Sequence, residues 1–152
     1  MKNFAVRLLA VATSLYATAW AQEPSKRDQI HIAVQEICPI SGERLGEHGS
    51  PIKAKIGEEN LYLCCKECLK GKVNTKHWAK IHANFAKAQG ICPVMRKELP
   101  TKAKWTIVKG QIVYVCCPPC TKKIAADPDT FLQLVDELYD ESIQDRVEEE
   151  TE

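Results

Sequence analysis

Apolar and polar positions alternate with a period of two in two separate stretches of the chain. Ile52, Ala54 and Ile56 lead into Gly57-Glu58-Glu59-Asn60, and Leu61-Tyr62-Leu63 returns; Trp105 and Ile107 lead into Lys109-Gly110, and Ile112 to Val115 returns. Alternation on both sides of a glycine-containing turn predicts a β-hairpin in each stretch. Beyond each hairpin the period lengthens. Trp78, Ile81 and Phe85 fall at i, i+3 and i+7 between Asn74, which can cap a helix, and Gly90, which can end one. Phe131, Leu132, Val135 and Leu138 form a second stripe behind Asp127-Pro128-Asp129, where a capping carboxylate, a first-turn proline and a second acid favour a helix start.

The same apolar pattern is framed by cysteine. Ile37-Cys38-Pro39 and Ile91-Cys92-Pro93 each precede a turn and a leucine, Leu45 or Leu99, and each hairpin runs into a cluster, Cys64-Cys65-Lys66-Glu67-Cys68 or Cys116-Cys117-Pro118-Pro119-Cys120. Such self-similarity marks a duplicated supersecondary unit. The expected fold class is α+β: two tandem small units, residues 37–90 and 91–145, each a Cys-Pro turn, a hairpin, a cysteine cluster and a helix. Residues 22–36 read as a polar tether in which Ile30, Ile32 and Val34 form a short edge strand. Residues 146–152, with Glu148, Glu149, Glu150 and Glu152, read as a frayed acidic tail.

Lys2 and Arg7 flank the start of an apolar run that ends at Ala19-Trp20-Ala21, the form of a signal peptide over residues 1–21 with cleavage after Ala21. The run is short for a membrane span. This pattern predicts a periplasmic or secreted protein with no membrane anchor. Units of roughly 50 residues bury little apolar surface, so disulfides, a metal or mutual docking must help them. In an oxidising compartment the eight cysteines first suggest a disulfide framework.

Charge is uneven: Cys38 to Lys123 holds 16 Lys and Arg against 6 acids, whereas Asp127 onward holds 11 acids and one base. A basic body suggests nucleic acid in a cytosolic protein, but export points to a local use. Lys66, Lys70, Lys72, Lys122 and Lys123 would lower neighbouring thiol pKa values and offset the charge of a thiolate site. No Ser-His-Asp set, phosphate loop or paired carboxylates stand at recognisable spacing, so no catalysis is predicted.

Thiolates suit Zn²⁺ and Cu⁺, which take sulfur in closed, low-coordinate geometry. Cys64, Cys65 and Cys68 combine both the CxxC and CxxxC spacings, as do Cys116, Cys117 and Cys120, and Cys38 or Cys92 adds a donor from the Cys-Pro turn. These eight cysteines are the candidate ligands. His48, His77 and His82 are better read as solvated surface histidines, and Met95 as filler. Tyr62, Tyr114, Trp78, Trp105 and Phe131 are expected to pack in the core.

The order Cys-Pro, hairpin, Tyr-x-Cys-Cys-x-x-Cys and a short helix ending in Asp-Pro-x-x-Phe-Leu resembles the TRASH and YHS metal-binding domains, which are similar to treble-clef zinc fingers. The resemblance is fullest from Cys92 through Tyr114, Cys116, Cys120, Ile124, Pro128 and Phe131; the first copy keeps Cys38, Tyr62, Cys64 and Cys68 but has Asn74-Thr75 in place of Asp-Pro. It implies binding of a heavy metal or structural zinc through Cys38/Cys64/Cys68 and Cys92/Cys116/Cys120. It leaves the fourth ligand, and the part of Cys65 and Cys117, open. Two other readings compete: a thiol-disulfide oxidoreductase, which strand-CxxC-helix order suggests, and a disulfide-stapled binding module without metal.

Overall fold

The computed structural model describes residues 24–151, so the signal-peptide reading of residues 1–21 lies outside the described residues. The fold is α+β. Helix α1 (Lys26–Gln35) precedes a first antiparallel hairpin, β1 (Ile52–Ile56) with β2 (Glu59–Leu63); α2 (Thr75–Gln89) precedes a second, β3 (Lys104–Val108) with β4 (Gln111–Val115), and α3 (Pro119–Ala126) and α4 (Pro128–Thr151) follow it. Among the described residues, no helix is long and apolar enough to cross a membrane.

Both hairpins close on two residues. Ile56 stands opposite Glu59 and Val108 opposite Gln111, so the first turn is Gly57-Glu58, shorter than the four-residue turn expected. Lys109 and Gly110 have φ of 50° and 84°, as a turn matched to the twist of its strands requires. The Asn60 N–H donates to the Gly110 carbonyl at 2.7 Å, fastening the first hairpin to the turn of the second.

β4 is buried at every position, Gln111 to Val115. Its apolar residues join Ile81 and Phe85 of α2, Ile124 of α3 and Leu132, Val135 and Tyr139 of α4 in one core. Phe85 meets Tyr139 at 5.6 Å between ring centroids. A smaller core surrounds Cys38, Leu45, Tyr62, Leu63, Cys64 and Cys68.

Several expectations are corrected. The segment read as a tether with an edge strand is the helix α1: Ser25 caps it by accepting from the Asp28 N–H at 3.1 Å, and His31, Val34 and Gln35 are buried. The alternation of Ile30, Ile32 and Val34 misleads because the buried face follows a helical spacing through two polar residues. The tail read as frayed is helical through Thr151, and Arg146 within it pairs with Glu36 at 2.7 Å. Pro118-Pro119 starts the unexpected helix α3, since a proline in the first turn lacks only an N–H that has no partner there. The corresponding Lys66–Lys70 is a short 3₁₀ turn.

Candidate metal centres

Each centre is built from a turn and the end of a hairpin. In the first turn the Cys38 N–H donates to the Glu43 carbonyl at 2.8 Å, the Gly42 N–H to the Cys38 carbonyl at 3.0 Å, and the Leu45 N–H to the Glu36 carbonyl at 2.8 Å. The second repeats this through Cys92 to Lys97 at 2.8 Å, Arg96 to Cys92 at 2.8 Å and Leu99 to Gly90 at 2.9 Å. The helix before each turn ends in a left-handed residue, Glu36 at φ 65° or Gly90 at φ 60°. Glycine takes that conformation freely, whereas glutamate bears strain there.

A buried glutamine then ties each turn to its hairpin. Gln35 Nε2 donates to the carbonyls of Ile37 at 2.9 Å and Tyr62 at 2.7 Å, and Oε1 accepts from the Tyr62 N–H at 2.8 Å. Gln89 makes the same three bonds, to Ile91 at 2.9 Å and to Tyr114 at 2.7 and 2.9 Å. These glutamines were missed in the sequence, although the signal was there: Gln-x-Ile-Cys-Pro occurs at both Gln35 and Gln89. They hold Cys38 and Cys92 near Cys64 and Cys116, which follow the strand ends 26 and 24 positions further along the chain.

The result is two sulfur groups. Cys38, Cys64 and Cys68 offer sulfurs within 4.8 Å of one another, and Cys92, Cys116 and Cys120 do the same. Cys65 lies beside the first group, its Sγ 3.8 Å from Cys64 and 3.7 Å from Cys68, while Cys64 and Cys68 are 3.6 Å apart. Cys117 lies beside the second, 3.8 Å from Cys116 and 3.1 Å from Cys120, with Cys116 and Cys120 4.0 Å apart. All eight cysteines are free thiols. Sulfurs bonded at about 2.3 Å to one tetrahedral zinc stand about 3.8 Å apart, so Cys64, Cys65 and Cys68 already have near-ligand spacing.

The thiols differ in acidity. Burial pushes Cys38 up, but backbone N–H groups of Ser41, Cys64 and Ile40 outweigh it and bring the pKa down to about 7. Cys92 is lowered in the same way, against its burial, by N–H groups of Cys116, Met95 and Val94. Burial raises Cys64, Cys68, Cys116 and Cys120, whereas a hydrogen bond from Cys120 lowers Cys117. Each cluster thus pairs a turn cysteine inclined to be a thiolate with two cysteines, Cys64 and Cys68 or Cys116 and Cys120, whose protons a bound cation would help to displace.

The surroundings are not identical. Glu43 Oε2 lies 3.5 Å and Ser41 Oγ 3.3 Å from Cys64 Sγ; the matching residues of the second turn are Lys97 and Met95, and Met95 is exposed. The histidines fall outside both sulfur groups. His48 is exposed, and His77 covers the first turn at Gly42. His82, expected at the surface, is buried: its Nε2 is 3.2 Å from Glu59 and its Nδ1 2.9 Å from the Tyr114 hydroxyl. Trp105, expected in the core, is 43% exposed and packs edge-on against His82.

Comparison of the chain with protein-family models, curated proteins and solved structures returns no match.

Proposed function

We propose that the protein is a non-catalytic, exported metal-binding protein that holds one ion in each of its two cysteine clusters, as the likeness to TRASH and YHS domains implies. One observation carries this reading: three sulfurs from a turn and a distant hairpin end converge within 4.8 Å, and the chain builds the arrangement twice. Cys65 and Cys117 are the nearest further sulfurs and complete all-thiolate sites. Such donors favour Zn²⁺ or Cu⁺ over hard, oxygen-seeking ions.

The test is elemental analysis of protein purified anaerobically under reducing conditions. Two ions per chain are expected, falling to one in Cys38→Ser and to one in Cys92→Ser; absence of stoichiometric metal from the parent protein sinks the reading. A second reading, thiol-disulfide exchange, is favoured by the 3.1 Å approach of Cys117 to Cys120. The two separate cleanly: a chelator releases alkylatable thiols from a metal site, whereas only a reductant releases them from a disulfide.

A further inference from the structure

The end of α4 lies against the first repeat. Ile143, Arg146 and Val147 wall a cleft of about 490 Å³ whose other sides include Ile32 of α1, Glu36 at its end and Leu45 of the first turn. Arg146 is held there by its ion pair with Glu36. The second repeat forms the corresponding cleft, about 590 Å³. Ala86 of α2 and Gly90 at its end take the places of Ile32 and Glu36, and Leu99 that of Leu45, as their matching turn hydrogen bonds show. Among the described residues, none from a further helix lines this second cleft.

We propose that this cleft seats an amphipathic α-helix of a partner protein, apolar where it meets Trp78, Ala86, Leu99 and Trp105 and acidic where it meets Lys87 and Lys102. The internal repeat argues for a helix, because the matching cleft is walled by one. Charge sets its chemistry: Lys87 and Lys102 line the cleft and no carboxylate does, so the Arg146–Glu36 pairing of the first repeat has no counterpart to hold a basic helix. Trp105, exposed at 43% and 6.4 Å edge-on from Trp78, offers the kind of aromatic anchor on which helix-in-groove interfaces concentrate their affinity. Among the described residues a second copy has no spare helix to give, since its α4 is fixed by Tyr139 in the core and Arg146 on Glu36.

Trp78 and Trp105 make the cleft report on itself. The probe is a synthetic peptide of Leu138–Glu149 carrying Arg146→Glu, titrated into the metal-loaded protein while tryptophan emission is followed. A saturable change is expected, with affinity falling at least about tenfold in Lys87→Glu/Lys102→Glu, whose substituted residues are both exposed. No saturable change overturns the proposal, and if sedimentation then shows a dimer the cleft belongs to a second copy. Equal affinity in the parent and the double variant also overturns it.

Discussion

Gln35 and Gln89 each satisfy three buried backbone groups with one side chain. Removing such a side chain leaves donors and acceptors with no water to replace it, at about 1–3 kcal/mol for a buried group left unpaired. Gln89→Ala is therefore expected to cost about 3 kcal/mol in denaturant unfolding and to weaken metal binding at the second cluster selectively, read by elemental analysis after partial chelation. Cys38 supports a pH prediction. Its thiol titrates near pH 7 instead of its usual 9.0, so in metal-free protein its thiolate appears as pH rises through about 7. Because the folded value is the lower one, the stabilisation this provides is full above about 9 and lost as pH falls through about 7. Ultraviolet thiolate absorbance of parent and Cys38→Ser should differ by one thiolate near pH 8. Protons compete for the same sulfur, so metal affinity should fall with acidification.

At the level of elements, the two hairpins and the start of α4 are legible because period-two alternation and the Asp127-Pro128 boundary are local signals. The six cysteines that converge into two triads could be picked out from their spacing along the chain. The helix α1 could not be read by apolar alternation, because its buried face includes His31, bonded to Asp136 at 2.8 Å, and Gln35. Polar residues look solvent-facing until the partner that satisfies them is known. The same reason hid His82, whose partners Glu59 and Tyr114 come from both hairpins. Since α1 is core structure, Val34→Asp is expected to destabilise the protein by about 3–4 kcal/mol, through an unpaired carboxylate at a site 1% exposed. A tether would tolerate the change, and thermal unfolding distinguishes the two cases.

Across the whole molecule, β2 and β4 touch, α2 packs on α1 and α4, and one core spans both repeats. Coupling through that core predicts one cooperative unfolding transition, not two. Tryptophan fluorescence, reporting from Trp78 and Trp105, should coincide with far-ultraviolet circular dichroism. Cys92→Ser should shift both midpoints downward together in metal-loaded protein, because ion binding to the native state is linked to the stability of the whole. Separate midpoints for the two probes would show that the clusters report independent domains.

The helix α2 closes the first hairpin unit through Ile81 and Phe85 and opens the second through Gln89 and Gly90. It therefore packs in a core shared by both copies, and the repeated segment does not coincide with a closed packing unit. A chain divided after Gly90 would leave one fragment without the strand that Gln89 ties down and the other with a cysteine turn lacking its glutamine. Any change in repeat number must accordingly add helix, turn and hairpin in that order, each new helix taking over as the lid of the old unit and the base of the next.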